Sequence, residues 1–249
     1  KVMKAAAENL TPVTLELGGK SPCIVNSDAN IDLAARRIVW GKYLNAGQTC
    51  VAPDYLLIHQ SVKERFLEKA EEYITDFYGK KPQDSPDYAR IINKDHHERL
   101  LQFLDQGDII TGGNVDRQEL FISPTIIDNI GWGDQIIEEE IFGPILPLIE
   151  FENIEKIVKK VKEQPEPLAL YIFSDSKKVQ DNIMNEVRFG GGCINDTIIH
   201  VSSPYLPFGG IGESGMGVYH GKNSFDTFTH KKSIVKKTNL FDIPLRYPP

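Results

Sequence analysis

SPCIVNSDANIDLAARRIVWGKYLNAGQTC, residues 21–50, places a strand, a helix and a tight loop in immediate succession. Residues 21–25 are a short apolar run of strand type. Asn30 is suited to cap a helix, because its side-chain oxygen can accept an unpaired N–H of the first turn. The helix it opens runs through Leu44 and stops at Gly47. YLLIH, residues 55–59, then reads as another strand. Strand, helix and strand in this order form the unit from which parallel sheets are built.

The alternation continues in both directions. Upstream, a helix ends near Leu10 and TPVTLEL (11–17) reads as a strand. Downstream, Ser61 with Glu64 forms a capping-box pattern, followed by Phe66, Leu67, Ala70, Tyr73, Ile74 and Phe77 at helical spacing. Asp95 with Glu98 opens a further helix carrying Leu100, Leu101, Phe103 and Leu104. LFISPTII (120–127) and ILPLIEF (145–151) read as strands, and Ile154, Ile157, Val158 and Val161 make another helical stripe. LALYIFS (168–174) is a buried strand, a polar helix follows to about Val187, and GGCIN (191–195) leads into a loop-rich end. The expectation is an α/β fold with a mainly parallel sheet. Internal repeats, low-complexity segments and flexible linkers are absent by eye.

With 249 residues, 41% of them hydrophobic, the chain can bury a full core. Its net charge of -7 has the wrong sign for a phosphate backbone, and its 28 Lys and Arg are scattered, which argues against a nucleic-acid partner. Cys23, Cys50 and Cys193 are widely spaced with no C-x-x-C pair, so zinc and dithiol redox chemistry are not indicated, and a reducing compartment is expected. No metal site is expected. No run of 18 apolar residues suggests a membrane segment, and KVMKAAAENL lacks the apolar core of a signal peptide. Because it lacks an initiator Met, the chain reads as a piece of something longer.

Cys50, in NAGQTCVAP, follows a helix end and lies three residues before Pro53, which places it on an irregular loop. Two readings stand on these residues alone. A lone cysteine is more often a small buried hydrophobe; a catalytic one must become a thiolate, which needs a base or a positive dipole nearby. Glu16, in LELGGK, is a charged residue between two leucines just before Gly18 and Gly19. It is either a solvated strand-end carboxylate or, half buried where paired glycines allow close backbone approach, a proton acceptor. Glu138 to Glu140 read as a solvated charge run. His96 and His97 are adjacent on a polar helix, so they diverge, and both read as exposed. Cys23 and Cys193 lie in apolar runs and read as inert core thiols. Gly210 to Gly215, GIGESG, satisfies G-x-G-x-x-G, but Pro204 and Pro207 precede it and no apolar strand leads in, so it reads as a decoy.

LELGGKSP, NAGQTCVAP, EEEIFGPILP and PFGGIGESGMG match, in order and with similar spacing, signature segments of the aldehyde dehydrogenase superfamily. GKNSFDTFTHKKSI and the closing RYPP resemble its class 3 and fatty aldehyde branch, and the resemblance covers the whole chain. It implies the cysteine-bearing catalytic half of an enzyme that oxidises aldehydes to carboxylic acids with NAD or NADP. By this resemblance Cys50 is the nucleophile, forming a thiohemiacetal and then a thioester, with the oxyanion held partly by the Cys50 N–H. Glu16 is the general base. Glu140 would bind the nicotinamide ribose, Phe142 would lie against the nicotinamide, and Leu17 and Gly18 would line that site. Asn195 and Phe208 would lie near the substrate pocket, with packing and turn roles equally open for both. Residues 1–17 would end the NAD-binding domain, 18–214 would form the catalytic domain, and 215–249 would carry oligomerisation contacts.

The same resemblance implies a cytoplasmic homodimer acting on medium- or long-chain aliphatic or aromatic aldehydes. It also implies an N-terminal half supplying most of the dinucleotide site, an oxyanion-hole Asn and a ribose-binding Lys, without which these 249 residues would not oxidise aldehydes. The choice between NAD and NADP would rest in that half. Two rivals share the fold: a cofactor-independent thioesterase or esterase, against which Glu140 and Phe142 argue, and a non-catalytic structural relative, against which Cys50 argues.

Overall fold

A computed structural model describes residues 1–249 apart from 243, 247 and 249, so Tyr247 and Pro249 of the closing RYPP lie outside the described residues. Along the chain the elements are α1 (Val2–Ala7), β1 (Leu15–Glu16), β2 (Pro22–Val25), α2 (Ile31–Tyr43), β3 (Tyr55–His59), α3 (Lys63–Tyr78) and α4 (Lys94–Leu101). There follow β4 (Asp108–Thr111), β5 (Val115–Asp116), β6 (Phe121–Ile122), β7 (Thr125–Asp128), α5 (Gln135–Glu138), β8 (Ile145–Phe151) and α6 (Ile154–Lys162). The last are β9 (Ala169–Phe173), α7 (Lys177–Glu186), β10 (Gly191–Ile194), β11 (Gly215–Met216) and α8 (Gly221–Thr227).

Seven strands form one sheet in the order β10-β9-β2-β3-β8-β7-β4. Every neighbouring pair is parallel except β4 with β7 at one edge. The α/β class with a mainly parallel sheet is therefore the observed one. A parallel sheet covered on both faces needs strands that are apolar throughout, and β2 and β9 are buried at every position. Asn30 caps α2 as read, its side chain accepting from the Leu33 N–H at 3.2 Å. Asn153 does the same for α6. Among the described residues no helix is long and apolar enough to cross a membrane.

Four local readings are corrected. TPVTLEL contributes only Leu15–Glu16, which pairs antiparallel with Gly215–Met216 in a separate two-stranded ribbon. LFISPTII breaks at Pro124, which has no N–H for a ladder; β6 pairs with β5 in a ribbon of its own, and β7 joins the main sheet. Neither the Ser61–Glu64 capping box nor a helix start at Asp95 is found. The α3 N-cap is Val62, without a side-chain bond, while the His59 ring accepts from the Ser61 N–H instead. At α4 the cap is Asn93, two residues before the Asp95 expected, accepting from His96 N at 2.8 Å. Finally, His97 is 1% exposed and His96 only partly exposed. Each ring donates to a neighbouring backbone carbonyl, that of Phe121 in β6 for His97 and that of Phe142 in a loop for His96, so both are drawn inward.

Candidate active site

Beyond α2 the chain passes through three successive left-handed residues, Asn45, Ala46 and Gly47, with φ of 53°, 52° and 72°. Such a run costs about 1 kcal/mol or more per non-glycine residue and persists only where the surroundings enforce it. Here they do. A Cβ on Gly47 would lie 2.2 Å from the Gly143 carbonyl oxygen, so only glycine lets this turn seat against the EEEIFGP loop. Gln48 ties the turn to a second loop, donating to the Arg90 carbonyl at 3.0 Å and accepting from the Ile92 N–H at 2.9 Å. On the far side of Cys50, the Tyr171 hydroxyl donates to the Val51 carbonyl at 2.6 Å. Cys50 is thus displayed, half-buried, on a turn anchored from both ends.

Glu16 reaches this thiol from β1. One carboxylate oxygen accepts from the Gly18 N–H at 3.0 Å, and the carboxylate stands near enough for its charge to act on the Cys50 thiol. Burial, then the charges of Glu16 and Glu140, push the thiol up to about 11. The three groups therefore converge, although the chain separates them widely. Burial first, and then their mutual repulsion, holds the sulfur protonated in this environment.

Glu140 is half-buried and its carboxyl is pushed up to about 7, first by burial and next by Asp54, with Glu16 adding to the rise while the Gly19 N–H and Lys20 oppose it. Gly18 has φ +75°, and a Cβ there would approach Glu140 Oε2 to 2.9 Å. Leu17, Gly18 and Glu140 line one groove of about 190 Å³ with Lys20 and Tyr55; Cys50 and Phe142 are not on its wall. The loop behind Glu140 is held by many bonds. Asp54 pairs with Lys20 and accepts from the Ile141 N–H at 3.1 Å. Lys20 also donates to the Glu139 carbonyl at 3.0 Å. Arg99 donates to the Glu140 carbonyl at 3.2 Å and to that of Ile141. The His96 ring donates to the Phe142 carbonyl at 2.7 Å, fixing Phe142 in a left-handed conformation of φ +55°.

The other two expected site residues stand apart. Phe208 is buried, bridges to Tyr219 in antiparallel fashion and stacks on His220 with ring centroids 5.0 Å apart. Tyr219 is its link to the site, since the charges of Glu16 and Cys50 help to push the Tyr219 phenol up after burial. Asn195 is engaged elsewhere: its amide accepts from the Ser174 N–H and donates to the Ser174 carbonyl, clasping the ends of β9 and β10. GIGESG opens no α-helix; it holds a single 3-10 turn, Gly212–Ser214, and runs into β11. Gly215 packs 2.1 Å from the Leu15 carbonyl oxygen, measured from where a Cβ would stand, and the Ser214 carbonyl accepts from Leu17 N. These glycines support the short strand that presents Glu16.

Lys42, Asp54, Arg99, Tyr171 and Tyr219 were not read from the sequence. Lys42 had a signal: it continues the stripe Ala35, Ile38, Val39 on the buried face of α2. It is wholly buried with no hydrogen-bond partner for Nζ, and burial lowers it to about 8 against the charge of Asp54. Cys23 and Cys193 are buried thiols, both pushed up by burial. Among the described residues no group of three or more His, Cys, Asp or Glu could hold a metal ion.

The sequence profile of the aldehyde dehydrogenase family matches residues 1–234. All of the chain aligns at 49% identity with 54% of a 4,4'-diaponeurosporen-aldehyde dehydrogenase from Staphylococcus aureus. It aligns at 46% identity with 55% of the dimeric NADP-preferring aldehyde dehydrogenase of Rattus norvegicus. The substrate-bound structure of Staphylococcus aureus AldH superposes on the whole chain with a TM-score of 0.97 at 48% identity, over 55% of that protein. The chain thus spans about half the length of the relatives it matches. Sequence, fold and the meeting of thiol and carboxylate agree: this chain belongs to the aldehyde dehydrogenase family.

Proposed function

We propose that the chain is the catalytic half of an NAD- or NADP-dependent aldehyde dehydrogenase, with Cys50 as nucleophile and Glu16 as general base. The observation that carries this is the convergence of the Glu16 carboxylate, whose charge acts on the Cys50 thiol, with a cysteine displayed on a turn held from both sides. The sulfur attacks the aldehyde carbonyl, its proton leaving to a neighbouring carboxylate or to solvent, and the C–S bond gives a thiohemiacetal. The Cys50 N–H faces its own sulfur and has no other partner among the described residues, so it is free to donate to the oxyanion. Conversion of the thiohemiacetal to a thioester requires loss of a hydride and a proton, for which a bound nicotinamide would supply the hydride acceptor. Glu16 then takes a proton from the water that attacks the thioester, releasing a carboxylic acid and the free sulfur.

The residues around Glu140 fit a nicotinamide riboside. The carboxyl is a paired acceptor for vicinal hydroxyls, and the glycine at 18 leaves no Cβ between it and the groove. Glu140 would hold the ribose, Leu17 and Gly18 would line the site, and Phe142 would bear on the ring. The rat relative is named for NADP preference, which supports keeping both cofactors in the proposal. An N-terminal half would supply the remaining dinucleotide contacts, and α1, with no buried residue, is a surface on which it could pack. A homodimer is supported by the exposed apolar residues of the C-terminal segment, Phe225, Phe228, Ile234 and Val235 among them. Three free cysteines fit a cytoplasmic setting. By the class 3 resemblance, the substrates are medium- or long-chain aliphatic or aromatic aldehydes.

The test is Cys50→Ala in the complete protein, assayed with an aldehyde series and both cofactors. Turnover should fall to background with every pair. Surviving aldehyde oxidation would overturn the assignment.

A further inference from the structure

We propose that Tyr171 is a positioning residue for the nucleophile: through its hydrogen bond to the Val51 carbonyl it sets the orientation of the Cys50 N–H that receives the oxyanion. The inference rests on the reading of Cys50 given above and goes beyond it, because Tyr171 touches neither substrate nor cofactor.

The argument starts from where the turn is held. Before Cys50, the left-handed run is pinned by Gln48 and by the close approach of Gly47 to Gly143. After Cys50, the local bond from Ala52 N to the Thr49 carbonyl closes a turn but does not fix it to the body of the fold. Asp54 N reaches the Ser21 carbonyl at 2.8 Å further on, but among residues 50–53 it is the Tyr171 hydroxyl, 2.6 Å from the Val51 oxygen and rooted in the middle of β9, that ties the turn itself to the body of the fold. The ring is wholly buried, with β2 on one side and β10 on the other, in register with Cys23 and Cys193. A side chain so packed has one rotamer available, so its hydroxyl is a fixed point.

The Val51 carbonyl and the Ala52 N–H share one peptide, and the Thr49 carbonyl and the Cys50 N–H share another; the Ala52 N to Thr49 O bond of 3.0 Å couples the two planes, so turning the Val51 carbonyl re-aims the Cys50 N–H. A donor to a developing oxyanion works only within narrow limits of distance and direction. Burial in an apolar strand does not itself call for a hydroxyl at position 171. Its neighbours on β9, Leu170, Ile172 and Phe173, are buried without one.

The experiment compares two reactions of the same thiol in the complete protein without cofactor. Iodoacetamide alkylates the sulfur by displacing iodide and creates no oxyanion. p-Nitrophenyl acetate acylates it: the C–S bond forms, an oxyanion develops on the carbonyl oxygen, and p-nitrophenolate leaves. In Tyr171→Phe, acylation should slow about tenfold or more while alkylation stays within about twofold, since misaligning a donor costs part of the 10²- to 10³-fold that losing one costs. Tyr88→Phe is the control. It deletes a comparable buried bond, Tyr88 hydroxyl to the Ile122 carbonyl at 2.9 Å, and should leave the ratio of the two rates unchanged.

Tyr171→Met, similar in volume and flexible, carries the same expectation if the phenylalanine variant does not fold. A ratio in Tyr171→Phe or Tyr171→Met equal to wild type would overturn the proposal, as would an equal fall in both rates. Failure of the underlying reading looks different: acylation would persist in Cys50→Ala.

Discussion

Replacing Glu16 by Gln should move two properties of the same site in opposite directions. The Cys50 thiol stands at about 11 against an ordinary value of 9.0, a rise of about 2, with burial the largest cause and the charges of Glu16 and Glu140 following. Glu16 is thus the largest cause after burial. A like charge disfavours the ionised form of an acid, so deleting it lowers the thiol and enlarges the thiolate fraction at any fixed pH below the midpoint. At about pH 8 a fall of one unit gives about tenfold more thiolate. The less basic sulfur is intrinsically a poorer nucleophile by about threefold, from a Brønsted slope of about 0.5. The net expectation is alkylation by iodoacetamide about two- to threefold faster in Glu16→Gln, with the rate profile displaced to lower pH. Aldehyde turnover should fall by about 10²- to 10⁴-fold, the usual contribution of a general base. Stopped reactions followed by mass spectrometry of the peptide containing Cys50 give the first rate, and steady-state assays give the second. Slower or unchanged alkylation would refute the electrostatic argument; undiminished turnover would refute the role of Glu16.

Two further expectations follow from neighbouring groups. Gly18→Ala puts a Cβ within 2.9 Å of Glu140 Oε2 at φ +75°, which costs about 1 kcal/mol in strain and displaces the carboxylate; KM for the nicotinamide cofactor should rise about tenfold, and an unchanged KM would separate Gly18 from cofactor binding. Lys42 is lowered from 10.5 to about 8 by burial, so between those values the unfolded chain holds a proton that the folded chain lacks, and its contribution to stability improves as pH rises through that window. Below about pH 8 the folded state carries the whole cost, about 3 kcal/mol. Lys42→Met should therefore be more stable than wild type at pH 7, with the difference closing by about pH 10.5 in urea titrations. A less stable Lys42→Met at pH 7 would contradict this.

The groups of the site were legible to different depths. Glu16 and Cys50 could be picked out because each breaks its local pattern, a charge between leucines and a thiol on an irregular loop, and because the flanking segments resemble a family. Glu140 on its own residues read as one of three solvated glutamates. Only the packing of Gly18 against it, with Asp54 and Lys20 beside it, distinguishes it from the exposed Glu138 and Glu139. His97 was misplaced for a related reason: polarity along α4 does not tell which carbonyls of a neighbouring strand need a donor.

What the sequence determined by itself is the content of its local units. Asn30 and Asn153 can cap helices with their own side chains, and β2 and β9 are apolar along their whole length. The period of the apolar residues sets the α/β class, because these effects act over a few residues and need no distant partner. The tertiary structure decided which distant groups meet. Glu16 reaches Cys50 because β1 pairs with a strand 200 residues later, at Gly215–Met216, and the turn bearing the sulfur is fixed by Gln48 from one side and Tyr171 from the other. Those contacts depend on how loops pack across the sheet, and the weakened acidities of Cys50 and Glu140 arise from burial and mutual repulsion that exist only once that packing is complete.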